Sequence, residues 1–126
     1  MNELIYLATP FTDKDPAIQE HRFQVVNKVA SDLMKRGLHV FSPISHCYPI
    51  ALAGGLPKDW AFWEAYDRVM LAVCTKLIVL MQNGWKDSIG VAVEIKIANE
   101  LGIPVEYMNA ETQEIYLDLS EVPTVA

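Results

Sequence analysis

A chain of 126 residues has the size of one ordinary domain and is too short for two. Hydrophobic residues make up 52% and charged residues 21%, which excludes a disordered chain and leaves room for a single core. The formal net charge of −6 argues against broad binding to a nucleic-acid polymer, which needs clustered Lys and Arg, and favours a small ligand.

Leu4-Ile5-Tyr6-Leu7-Ala8 is short, apolar and aromatic, and Thr9-Pro10-Phe11-Thr12 follows at once, so it reads as a central strand opening into a loop at its carboxyl end. Tyr6, Thr9 and Thr12 offer hydroxyls there, although a strand Tyr is more often core. Over residues 16–36 the pattern turns helical, with Phe23, Val26, Ala30 and Leu33 at three- and four-residue spacing and Gly37 as the stop. Arg22 in this helix either faces solvent, as most lone helix arginines do, or reaches back to an anion over the loop of residues 9–12.

His39-Val40-Phe41 makes a second short strand that ends in Ser42-Pro43-Ile44-Ser45-His46, again with polar residues on the carboxyl side. His46 is a candidate proton carrier, against the blander reading of an exposed loop histidine. Residues 48–57 contain Ala53-Gly54-Gly55 and end in Pro57, the pattern of a mobile loop or short helical turn over a pocket. A helix over residues 59–74 follows, with Trp60, Trp63, Asp67 and Leu71 on one face. Burying a charge without a partner is costly, so Asp67 on that apolar stripe is a candidate functional acid.

Leu77-Ile78-Val79-Leu80-Met81 is an unbroken apolar run, as expected of a strand covered on both faces. In the stretch from Gly84 to Gly102, Ser88 or Asp87 caps a helix, Val91, Ile95, Ala98 and Leu101 form its apolar stripe, and Gly102 with Pro104 ends it. The free N–H groups at that helix start favour an anion. Glu94 lies about one turn in, and a single helix Glu is usually solvated. Residues 104–108 read as the last core strand, and Ile115, Leu117 and Leu119 alternate as an edge strand would. The order is that of an α/β, doubly wound parallel sheet of four to five strands in three layers, in which ligands bind beyond the carboxyl ends of the strands.

Cys47 and Cys74 form no CxxC pair and have no zinc spacing, which points to packed thiols in a reducing compartment. The first residues lack the pattern of a secretion signal, and no apolar run approaches the length of about 18 residues that a membrane span needs. The expected setting is cytoplasmic, with no membrane partner. Nothing in the pattern calls for a metal or a cofactor.

Two carboxylates, Asp67 and Glu94, with Tyr, Ser and Thr hydroxyls at strand ends, suit chemistry through a positively charged sugar, in which one acid attacks or stabilises and another protonates the leaving group. Tyr6-Leu7-Ala8-Thr9-Pro10-Phe11, Arg22, Val40-Phe41-Ser42-Pro43, Asp67, Ser88-Ile89-Gly90-Val91-Ala92-Val93-Glu94-Ile95, Ala98 and Gly102-Ile103-Pro104-Val105 occur in an order and spacing that is similar to the nucleoside 2-deoxyribosyltransferase family and its relatives, the 2'-deoxynucleoside 5'-monophosphate N-glycosidases. The likeness runs over roughly residues 4–108 and is nearest to an uncharacterised branch of that superfamily.

The resemblance implies a flavodoxin-like sheet in one domain and catalysis by Glu94 as nucleophile, Asp67 handling the leaving base and Tyr6 beside them. Thr9, Pro10, Phe11, Arg22, Ser42, His46, Ser88 and Gly90 are the implied substrate-binding positions, with Ser88, Arg22, Thr9 and Thr12 as candidates for a 5'-phosphate. It also implies a homodimer or larger homo-oligomer whose neighbour completes the pocket, with Asn109 as the tail's candidate. Ala8-Thr9-Pro10 where many transferases have Ala-Gly-Pro, and the aromatic Trp60-Ala61-Phe62-Trp63, depart from the common pattern. A reading of a different class is a nucleotide-binding or sensing module without catalysis, in which Trp60 and Trp63 stack a base.

Overall fold

A computed structural model of the chain describes residues 3–57 and 59–123, with Trp60 described by its backbone alone. The strands are β1 (Ile5–Ala8), β2 (Val40–Phe41), β3 (Lys76–Met81), β4 (Val105–Asn109) and β5 (Ile115–Tyr116). The helices are α1 (Pro16–Lys35), α2 (Pro43–Gly54), α3 (Trp60–Ala72) and α4 (Ile89–Leu101). One five-stranded sheet has the order β2-β1-β3-β4-β5, parallel from β2 to β4. This is the three-layer, flavodoxin-like α/β fold that the pattern of elements predicts. Among the described residues no helix is long and apolar enough to cross a membrane.

Successive strand residues face opposite ways, and the core is divided accordingly. Ile5, Leu7, Ile78, Leu80 and Met108 pack under α1, against Val26, Val29, Ala30 and Leu33. Tyr6, Ala8, Leu77, Val79 and Tyr107 pack on the other face, against Leu71 and Cys74 beside α3 and Val91, Ile97 and Ala98 of α4. Tyr6 therefore points into the layer that carries Asp67 and Glu94.

Local chemistry sets the helix ends. The Asp15 carboxylate accepts the Ala17 N–H at 2.9 Å at the start of α1, with Pro16 in the first turn. Gly37 follows α1 at φ 86° and Gly102 ends α4 at φ 71°, both in the left-handed region that glycine enters freely.

Three expectations are corrected. Residues 48–54 are not a loop or an isolated turn but the later part of α2, which starts at Pro43 behind the Ser42 cap and runs through Pro49 to Gly55 at φ 63°. The Gly-rich end gave a loop signal, while the cap and the Pro at the first helical position outweighed it. The stripe of α4 is also rotated: Val91, Glu94, Ile97 and Ala98 are buried, Ile95 is half-buried and Leu101 is exposed. The alternating tail gives only a two-residue strand, β5, which pairs antiparallel to β4, and Leu119–Glu121 is a 3-10 turn. Gln113 secures this hairpin: its amide donates to Asp32 at 2.8 Å and accepts from Arg36 at 2.7 Å, both next to or in α1.

Candidate active site

Tyr6, Asp67 and Glu94 come together on the α3 and α4 side of the sheet. Tyr6, on β1 between β2 and β3, is fully buried, its ring at 5.8 Å from the Phe41 ring, and its hydroxyl donates to Glu94 Oε2 at 2.5 Å. Glu94 and Asp67 are each only 6% exposed, so neither is the solvated acid that helix statistics suggest. The reason is positional. On α4, Glu94 stands three residues after Val91 and four before Ala98, inside the stripe that the sheet covers.

Burial sets the protonation of the pair. Glu94 is pushed up to about 8 by loss of hydration, the Tyr6 hydrogen bond pulls it back, and the Asp67 charge adds to the rise. Asp67 is pushed up to about 6 by burial, and the neighbouring Tyr6 hydroxyl pulls it back. The Tyr6 hydroxyl, desolvated and facing both acids, is held strongly in its neutral form. Its one O–H is given to Glu94, and the Asp67 carboxyl group lies near enough to add to the effect.

Most of the other expected positions are engaged within the fold. Thr9 is buried, and its Oγ1 accepts from Gln82 Nε2 at 2.8 Å. Pro10 is buried, and the Phe11 ring packs at 4.7 Å against Tyr48 of α2. Ser42 caps α2 and forms a short polar chain with Ser45 and, beyond it, Asn27 of α1. Ser88 caps α4, its Oγ accepting the Val91 N–H at 3.2 Å, and half-buried Gly90 follows in the first turn.

Arg22 does reach over the loop of residues 9–12, but to carbonyls: Phe11 at 3.3 Å, Thr12 at 3.1 Å and Asn83 at 2.9 Å. His46 stands in α2 rather than in a loop, exposed, its ring stacked on Tyr66 at 6.3 Å and 16°. Trp63 meets Tyr66 edge-on at 6.0 Å, so an aromatic cluster flanks Asp67 on α3. The Trp60 side chain lies outside the described residues. Asn109 caps its own turn, accepting from the N–H groups of Glu111 and Thr112.

Reading the residues in order misses Gln82 and Gly84. Gln82 is the first polar side chain after the buried run of β3, and an amide in that place has to find partners at the strand ends. Both cysteines are buried, and burial first of all raises each thiol to about 11, which leaves them unreactive. Two open depressions, of about 360 and 530 Å³, lie away from the trio. One is lined by Leu4, His39 and Val40 at the starting ends of β1 and β2, the other by Asn27, Ala30 and Ser45 beside α1. Among the described residues no group of three or more His, Cys, Asp or Glu side chains is placed to hold a metal ion.

Over residues 3–110 the chain matches the model of a family described as a domain of unknown function, DUF1937. No curated protein matches it. The chain belongs to the DUF1937 family.

Proposed function

We propose that this DUF1937 member cleaves the N-glycosidic bond of a (deoxy)nucleoside or its 5'-monophosphate, or transfers the deoxyribosyl group, in the manner of the nucleoside 2-deoxyribosyltransferase superfamily that its motifs resemble. The observation that carries this reading is the buried Tyr6–Glu94 hydrogen bond, with Asp67 facing the same hydroxyl. Glu94 attacks the anomeric carbon as the bond to the base breaks, giving a glycosyl ester and a base that takes its proton from Asp67. Water or a second base then releases the sugar. Neither a metal nor a cofactor enters, and the setting is cytoplasmic.

Burial favours the protonated form of both acids, and attack requires Glu94 to give its proton up. A positively charged sugar beside Glu94 favours that ionisation, because it stabilises the carboxylate.

The deciding experiment follows release of free base by chromatography from a panel of deoxynucleosides and their 5'-monophosphates. Glu94→Gln is expected to lose on the order of a thousandfold or more of kcat, as removal of a covalent nucleophile does. Activity equal to wild type would remove the mechanism. The Trp63, Tyr66 and His46 cluster supports the second reading, a nucleotide sensor, and calorimetric binding without release of base from any substrate would assign the site to it.

We also propose that a second copy of the chain covers the outer face of α3. Phe62, Tyr66, Val69 and Val73 recur there at helical spacing and are 45%, 37%, 66% and 62% exposed, a run of apolar surface that isolated domains seldom leave open.

A further inference from the structure

We infer that Arg22 is a positioning residue, a brace that ties the loop after β1 to the loop after β3 and thereby sets how Tyr6 stands against Glu94. Arg22 leaves the first half of α1, on the face of the sheet opposite α4, and its guanidinium crosses the carboxyl edge. Nη1 donates to the Phe11 and Thr12 carbonyls, at 3.3 and 3.1 Å, and Nη2 donates to the Asn83 carbonyl at 2.9 Å. Three of the five N–H groups of a guanidinium are thus engaged by backbone.

Two neighbours show that the brace is built in. Gln82 Nε2 donates both to Thr9 Oγ1 at 2.8 Å and to the Arg22 carbonyl at 3.1 Å, joining the same loops a second time. At Gly84 a Cβ would lie 2.7 Å from Arg22 Nη2, and the backbone there has φ 89°. A side chain there would push the guanidinium out of its present place, and the positive φ favours glycine on its own account. The first loop continues β1, which carries Tyr6. The second leads through the 3-10 turn Trp85–Asp87 to Ser88, the cap of the helix that carries Glu94. Fixing the separation of the loops fixes the hydroxyl and the carboxylate relative to each other.

This differs from the role the sequence suggests for Arg22, an anion ligand, because a phosphate would have to displace carbonyls already bonded. The consequence for catalysis rests on the glycosyl-transfer reading, whereas the brace itself does not. Wild type, Arg22→Gln and Arg22→Lys are assayed with a deoxynucleoside and with its 5'-monophosphate. A brace predicts that Arg22→Gln lowers kcat for both by a similar factor, roughly tenfold to a hundredfold, with KM within about twofold and partial rescue by Lys. A rise in KM for the monophosphate alone, with the nucleoside unaffected, would make Arg22 an anion ligand and overturn the inference.

Should wild type release no base from either substrate, the glycosyl-transfer reading falls and hydrogen exchange decides the brace. Arg22→Gln is expected to speed amide exchange in residues 9–15 and 82–88 and to leave residues 26–33 unchanged. Unchanged exchange in both loops overturns the brace. Gly84→Ala supplies the coupled test. If the guanidinium abuts Gly84, the added methyl loosens the loops less in the Arg22→Gln background than in wild type. Equal increments overturn the contact.

Discussion

Glu94 gives up its proton late because the fold takes its carboxyl group out of water, and that has a measurable price in stability. Its ordinary value of 4.5 applies to the unfolded chain, while the folded chain releases the proton only at about 8. Between those values the folded state holds a proton that the unfolded state has lost, so stability falls as pH rises through this window and the penalty is absent below it. Glu94→Gln removes the penalty. Its stability gain over wild type, read from urea unfolding, should be small near pH 4.5, grow towards pH 8 to the order of a few kcal/mol, and then level off. A gain independent of pH would mean that the carboxyl group is not held protonated. Tyr6→Phe acts the opposite way on the same acid, since the phenol hydrogen bond lowers the Glu94 value. The ascending limb of the pH–rate profile for base release should move to higher pH, with kcat reduced roughly tenfold to a hundredfold as the hydrogen bond that orients Glu94 is lost.

At the scale of elements, α4 begins where it does because Ser88 accepts the Val91 N–H, and Glu94 is placed by that start. Ser88→Ala should cost about 1 kcal/mol in urea unfolding and Ser88→Gly only a few tenths, the ordering of an N-cap. Equal losses would argue for a different role of the hydroxyl. β1, β3, α1 and the start of α4 were legible in the amino-acid pattern, since each has an unbroken apolar run or a three-and-four repeat closed by a cap or glycine. Asp67 was legible as well, as an acid on an apolar stripe. The phase of α4 was not, because Ile95 and Leu101 outweigh Glu94 in any count of hydrophobicity, whereas the packing of Val91, Ile97 and Ala98 in the core carries Glu94 inward with them. The later part of α2 was hidden by its glycines. Arg22 and Gln82 show a different limit: their partners are backbone carbonyls and a hydroxyl from distant loops, and spacing along the chain says nothing about those.

For the whole molecule, the outer face of α3 sets the expected assembly. Val69→Glu, on a residue 66% exposed, should leave the fold intact and shift the chain towards monomer in analytical ultracentrifugation. Sedimentation identical to wild type would exclude α3 as the contact between copies. The two-residue strand β5 has a consequence of its own. Without it, the five residues of β4, Tyr107 and Met108 among them, would present a row of bare amide and carbonyl groups to any passing chain. The short antiparallel hairpin covers that edge at Tyr107 and Met108. A chain cut after residue 112 should scatter light on warming at concentrations where the full chain stays clear, and equal clarity would show that the sheet margin guards itself.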